Sequence, residues 1–334
     1  MLTVCARCRH WCAQALAIVR APFLAYTGSS FFRKDCMEAS AGRATPALAV
    51  KAAAPHLQAG MQAGEAMRAI ANSCIAQLAA NRQGVQACDG ESVHQMRVAL
   101  RRWHAACRLL RPLMEVPAPL AEEVDWLAGV LGPARDWDVL AGGTLVRLAG
   151  QAPDAAMGAA LAALQERSTA EARRRQDAAA EAAASARFGE LVKAMGEWID
   201  SLPSGPDAAP AFARAALQHD RKRLAKRARH LAGLDAPARH RLRIAAKKAR
   251  YDGEFFLSLH DNKAQRRRLR RLAGLQDALG ALNDGTVART LLAELPELDT
   301  DPVLAKGAGF VLGTLGAGQN AGVKKAARLW RKLK

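Results

Sequence analysis

Aromatic side chains are scarce: two tyrosines, eight phenylalanines and six tryptophans make up 5% of 334 residues. Proteins that hold single-stranded nucleic acid by stacking its bases need such rings at the surface, so the shortage counts against that class. A sustained alternation of Val, Ile and Thr is also missing, which argues against a sheet. No apolar run is long enough to span a bilayer as a helix, and no membrane partner is expected. Glycine signatures are absent: there is no phosphate-cradling Gly-x-x-x-x-Gly-Lys-Ser/Thr loop, no dinucleotide fingerprint and no Gly-x-Ser-x-Gly nucleophile turn. The cysteines number seven, an odd count that does not read as a disulfide framework. Acids are in deficit, 31 against 49 lysines and arginines, leaving a net charge of +18.

What is present is helix-forming. Half of the residues are hydrophobic, enough for a sizeable core. Alanine and leucine mixed with charged residues favour helix, so the fold class expected is all-α. An excess of one sign opposes compaction and calls for a partner of the other sign: nucleic acid, an anionic membrane surface or a phosphate polymer.

Residues 1–50 differ from the rest. They carry four of the seven cysteines and no clear amphipathic period, and are expected to be a disordered or spurious extension, with Met37 as an alternative start. The apolar patch Ala13 to Val19 is bracketed by Arg9 and Arg20, with no convincing cleavage site after it, so a cytoplasmic location is expected. Beyond it, breakers delimit helical segments at roughly 60–82, 92–111, 119–132, 136–150, 155–199, 210–232, 237–260, 263–280, 284–295 and 302–334. The stretch 155–199 reads as one extended helix or two with a kink near Gly189. Asp89, Ser92 and Asp235 are candidate helix N-caps.

An internal repeat stands out. Val93-His94-Gln95-Met96-Arg97-Val98-Ala99-Leu100-Arg101-Arg102-Trp103 shares a pattern with Arg239-His240-Arg241-Leu242-Arg243-Ile244-Ala245-Ala246-Lys247-Lys248-Ala249: His, any residue, apolar, Arg, β-branched, Ala, any residue, then two bases. Leu131-Gly132-Pro133-Ala134-Arg135-Asp136 is then echoed by Leu279-Gly280-Ala281-Leu282-Asn283-Asp284. Two features recurring in one order suggest a duplicated helical unit. Residues 51–334 would hold repeat one at about 55–200 and repeat two at about 210–334, with the Pro-rich run Pro203 to Pro210 as the seam.

On a helix, His94, Arg97, Arg101, His104, Arg108 and Arg111 alternate in spacings of three and four, and so share one stripe. Val93, Met96, Leu100, Trp103, Cys107 and Leu110 form an apolar seam about 100° around the helix. In the second copy His240, Arg243, Lys247 and Arg250 make the ridge, extended by Lys248. A lone basic stripe is usually a solvated face. Here it recurs, and from Arg214 to Arg250 there are 13 bases against only Asp220 and Asp235. Like charges at these spacings cost a few tenths of a kcal/mol per pair, a cost that a bound anion removes. Neighbouring segments add Arg223 and Arg227 before the second copy and Arg267 and Arg271 after it. Arginine suits phosphate because its planar fork binds two oxygens and stays charged.

His94 and His240 each sit near a helix start, where an imidazole either donates to an anion or packs and caps. No metal is assigned to them: His104 lies about 15 Å along the helix from His94, too far to share an ion. Cys5, Cys8 and Cys12 with His10 form half of a zinc pattern, but no second ligand pair follows. Asp136, Asp138 and Asp284 follow the Leu-Gly turns and are read as N-caps or as anchors for ridge arginines.

These two copies, with Tyr251 and Phe255-Phe256, the stretch ending at Asp136, and Leu275-Gln276 to Asp284, resemble the CHAD family, the histidine-marked α-helical domains. The resemblance covers about residues 50–334. It implies two pseudo-symmetric helical bundles with a basic groove between them, binding of inorganic polyphosphate, and no catalysis or cofactor. Members are sometimes fused to a triphosphate-hydrolysing tunnel domain, an all-β unit not read in this sequence. The motif implies ligand contacts at His94, Arg97, Arg101, Arg102, His240, Arg243, Lys247, Lys248 and Arg250. Glu122, Glu123 and Asp125 depart from the second copy, which is basic or neutral there. The expected role is to place the protein on polyphosphate granules. The alternatives are a nucleic-acid-binding protein and, with no metal-binding acids beside the histidines, a phosphate-transfer enzyme.

Overall fold

The computed structural model describes residues 49–333. Cys5, Cys8, Cys12, His10 and Met37 lie outside the described residues. The described chain is helical: α1 (Ala63–Ala80), α2 (Arg82–Gln86), α3 (Gly90–Leu110), α4 (Ala118–Asp138), a wider π-helical stretch (Val139–Leu145), α5 (Val146–Ala149), α6 (Ala155–Ala184), α7 (Ala186–Asp200), α8 (Ala209–Arg227), α9 (Ala236–Phe255), α10 (Lys263–Leu292), α11 (Pro302–Ala317) and α12 (Gln319–Leu333). Single 3₁₀ turns sit between several of them. Among the described residues no helix is long and apolar enough to cross a membrane.

Helix starts follow local chemistry. Asp89 accepts from the backbone N–H groups of Glu91 and Ser92 at the head of α3, and Asp235 accepts from that of Ala238 at the head of α9. Each satisfies donors that the first turn leaves orphaned. Ser92 is no cap: it lies inside α3 and its hydroxyl donates to Asp89 at 2.6 Å.

Two expected breaks are absent, one is displaced and one is added. α4 runs through Gly132-Pro133 and continues without interruption into the π-helical stretch and α5. α10 runs through Gly280 and Asn283-Asp284-Gly285. In both, packing overrides propensity. Leu127 and Leu131 of α4 sit in one apolar cluster and Trp137 in another. Leu275 and Leu279 of α10 sit in one cluster, and Leu291 and Leu292 in another. Burial worth about 1.5–3 kcal/mol per large apolar side chain outweighs the cost of about 1 kcal/mol for a helical glycine. The 155–199 stretch does break, at Ser185 rather than Gly189, because Ser185 caps α7 by accepting from the Phe188 N–H at 3.2 Å. The final segment divides at Gly318, between α11 and α12.

The core falls into three clusters. The first joins α1, α3, α4 and α7 with the start of α8, with Tyr251 and Phe255 of α9 and with Phe256 just after it. The third joins α8, α9, α10 and α12. The second lies where the C-terminal halves of the α4–α5 and α10 rods meet α6 and α11. Residues 47–334 accordingly form one compact unit. At the Pro203 to Pro210 run the chain folds back on α1. Ala63 N–H donates to Asp207 C=O at 2.8 Å, and Ala209 N–H donates to Met61 C=O at 2.9 Å. Gly64 is required there, since a β-carbon would meet the Pro203 carbonyl at 1.9 Å. Gly205 turns the chain at φ +77°.

Candidate anion-binding site

The two repeated helices bring their ridges together. Arg97 and Arg101 of α3 and Arg243 and Arg250 of α9 all lie near enough to the Lys247 ammonium to depress it. Burial is the larger cause, and together they lower Lys247 to about 7. Arg243 is lowered by burial and then by Arg101, with Asp284 and Asp136 opposing. Arg97 is lowered by burial first, against the nearby Asp136. Removing charges from water and crowding like charges both disfavour the ionised form. The buried Nε–H groups of Arg101 and Arg243 have no hydrogen-bond partner within the protein. The cluster is thus cationic, half-buried and under-neutralised.

Arg97 is anchored. It donates to Asp136 at 2.9 Å and to the Gly132 carbonyl. The expectation that acids after the Leu-Gly turns hold ridge arginines is met at Asp136. Asp138 instead pairs with Arg135 at 2.5 Å. Each histidine lies near a residue of its own Leu-Gly segment. His240 Nδ1 lies 3.3 Å from Asn283 Oδ1. His94 is depressed by burial and then by Arg135, with Arg101 and Arg97 adding to the effect and Glu91 opposing it.

The other half of the α3 stripe lies elsewhere. His104 Nε2 is 3.4 Å from Asp125, and Arg111 is 3.9 Å from Glu115. Arg108 is clamped by Asp220 at 3.4 Å and by a shorter contact to Asp252. Asp220 is 4% exposed and Asp252 not at all. Burial, then a hydrogen bond with Asp220, holds the Asp252 carboxyl well above the usual range, with Arg108 opposing. Arg102 is 3% exposed, pairs with Glu254 at 3.2 Å and lies 4.8 Å from the centre of the Phe255 ring. Arg250 shares Glu254 at 3.2 Å. The structure therefore brings together His94, Arg97, Arg101, Arg243, Lys247 and Arg250, and sets Arg102, His104 and Arg108 against acids.

Lys248 faces the other flank of α9. Burial lowers it, then Arg223 and Arg108, while Asp220 and Asp252 oppose. Arg223 and Arg227 line a cleft of about 430 Å³ together with Lys226, Ala238 and Arg241. Arg267 is exposed on α10. Arg271 donates to the Lys332 carbonyl. Sequence reasoning missed Asp220 and Asp252 as counter-charges, because their partner is on α3. It also missed Arg135 and Arg241; the signal for both was their place inside the repeated segments. Among the described residues no group of three or more His, Cys, Asp or Glu could hold a metal ion.

Comparison with known proteins gives the family. The family model described as the CHAD domain matches residues 69–293. The crystal structure of the CHAD domain from the plant Ricinus communis superposes with a TM-score of 0.77 at 35% identity, covering 85% of this chain and 97% of that one. PptA from Streptomyces chartreusis shares the fold at a TM-score of 0.59 and 19% identity, covering 81% of this chain and 99% of that one. No curated protein matches. With the family model spanning two thirds of the sequence and a solved CHAD domain, 35% identical, covering 85% of it, this chain belongs to the CHAD domain family.

Proposed function

We propose that this protein is a binding module for inorganic polyphosphate, without catalytic activity of its own, that places it on polyphosphate granules in the cytoplasm. The observation that carries the reading is the crowding of Arg97, Arg101, Arg243 and Lys247 at the meeting of α3 and α9. Such a cluster costs free energy when empty, and a polyanion offsets it. The proposal includes a duplicated architecture, with repeats at about 55–200 and 210–334 related by a pseudo-two-fold axis. The support is an interval: the same number of residues separates Met61 from Asp207, Ala63 from Ala209 and Val93 from Arg239. The reciprocal backbone hydrogen bonds described above, from Ala63 to Asp207 and from Ala209 to Met61, exchange under that interval, as a two-fold axis between them requires.

Nucleic acid is the competing polyanion. Among the described residues, the exposed large hydrophobic side chains are Val50, Val139, Val146, Ile244 and Val303, with no ring to stack on a base. The test is one titration series against long-chain polyphosphate, DNA, RNA and ATP at fixed salt. Polyphosphate should win, and its affinity should fall steeply as salt rises, through counterion release. Preference for DNA or RNA would transfer the site to nucleic acid. Equal affinity for ATP and long polyphosphate would overturn the polymer reading.

Binding should also be proton-linked. Lys247 titrates near 7 in the free protein, and a phosphate oxyanion beside it pushes that value back up. The complex then holds more protons than its parts between the two values. Affinity is therefore greatest below about pH 7 and falls as pH rises above it, by at most about one decade per pH unit for one proton. Calorimetry in buffers of different ionisation enthalpy at pH 8 should show proton uptake. A Lys247→Arg variant should lose the pH dependence while keeping affinity, because arginine stays charged.

A further inference from the structure

The two halves of the repeat differ at one place where the sequence interval aligns them. In the first half, Gln77, Asn81 and Gln95 correspond to Arg223, Arg227 and Arg241 in the second. Gln77 donates to Gln95 Oε1 at 3.3 Å, and Asn81 donates to the Gln77 carbonyl at 2.7 Å. All three are buried, at 3%, 1% and 7% exposure for Gln77, Asn81 and Gln95. There α1 and α3 close on each other through neutral amides. In the second half, α8 and α9 part to leave the cleft of about 430 Å³ lined by Arg223, Lys226, Arg227 and Arg241. No ion-pair partner faces these four among the described residues. Four cations lining an open cleft with no carboxylate repel one another, and the fold holds them there.

Lys248 links this cleft to the central cluster. It follows Lys247 directly in α9 and lies near Arg223. The acids closest to it, Asp220 and Asp252, are already engaged by Arg108. A row of cations thus wraps around α9 from Arg243 and Lys247, through Lys248 and Arg223, to Arg227 and Arg241.

We propose that the α8–α9 cleft is a second phosphate-binding segment, present only in the second half, that receives the continuation of a polyphosphate chain leaving the central cluster. This rests on the reading of the central cluster as a polyphosphate site and adds what sets its chain-length preference. A short phosphate oligomer occupies the central cluster alone. A longer chain fills both segments, the second at the high effective concentration that a tether confers. Discrimination by length therefore resides in the cleft, and it is one-sided because the first half is sealed by its amides.

The test uses the full chain with tripolyphosphate and long-chain polyphosphate as probes. The variant carries Arg223→Gln, Lys226→Gln, Arg227→Gln and Arg241→Gln. A control carries Lys324→Gln, Lys325→Gln, Arg328→Gln and Arg331→Gln, which removes the same charge from exposed positions of α12. The cleft variant should lose about a hundredfold in affinity for the long chain, within the range that linked sites confer, and change little towards tripolyphosphate. Unaltered long-chain affinity would overturn the second segment and leave the central site standing. Equal losses in variant and control would overturn it as well, since net charge alone would explain them. An equal loss towards both probes would place the whole site in the cleft and also refute the division. Wild-type protein that binds neither probe would overturn the central reading with it. Should the quadruple variant unfold by circular dichroism, the pairs Arg223→Gln with Arg227→Gln and Lys226→Gln with Arg241→Gln carry the same comparison.

Discussion

Replacing Arg101, Arg243 and Lys247 together by Gln should cut polyphosphate affinity on the order of a thousandfold, since a hydrogen bond to a charged group contributes about 1.5–3 kcal/mol. Arg97 is left in place because it secures the Gly132 turn and Asp136, and its loss would mix folding with binding. The three chosen side chains are half-buried and crowd one another. Removing their charge relieves repulsion, so the thermal midpoint should hold or rise while binding collapses, the trade-off expected where a site stores like charges. Replacing Lys324, Lys325 and Arg328 on α12 by Gln changes the net charge equally and should cost about tenfold or less. Fluorescence or calorimetric titration with parallel thermal melts decides the matter. Equal losses in the two triple variants would mean that only net charge attracts the polyanion.

Arg108→Met should instead be the most damaging single substitution for stability. It leaves Asp252, with no solvent exposure, and Asp220, at 4%, without their cation. Removing one partner of a buried ion pair costs about 3–5 kcal/mol, which for a protein of this size lowers the midpoint by roughly 10 °C or more. The sign with pH is fixed by the acids. Asp252 already titrates well above the usual carboxylate range, through burial and then its bond with Asp220. Protonating Asp252 removes one of the buried charges, so the deficit should shrink as pH falls and widen as pH rises. Adding Asp220→Asn and Asp252→Asn to Arg108→Met should recover part of the loss. If Arg108 were a ligand contact, Arg108→Met would lower affinity at unchanged thermal stability. That outcome would refute the strut.

Which arginines are free was only half visible beforehand. His94, Arg97 and Arg101 share a stripe with His104, Arg108 and Arg111, and helical periodicity treats all six alike. From His104 onward along the same ridge, though, the environment changes from cations of α9 to carboxylates. Arg102 and Lys248 occupy the same place in the two repeats, yet Arg102 is 3% exposed against Glu254 while Lys248 is half-buried beside Arg223. Breakers misled for a similar reason. Gly132-Pro133 and Gly280 weaken a helix locally by a few kcal/mol at most, whereas the apolar clusters at both ends of each rod bury several large side chains.

Taken by itself, the sequence determined that this protein is helical, where α3 and α9 begin, that a basic helix occurs twice, and that the chain carries a large excess of positive charge. Each of these depends on short-range or additive quantities: periodicity, a capping aspartate at Asp89 or Asp235, and summed charge. Only the tertiary structure decided that the ridges of α3 and α9 face each other, that Arg108 and Arg102 are held by acids more than a hundred residues away, and that one half closes over Gln77 and Gln95 where the other opens a cleft. Coulomb energy depends on separation in space and on access to water, and neither is fixed for distant residues until the chain has packed.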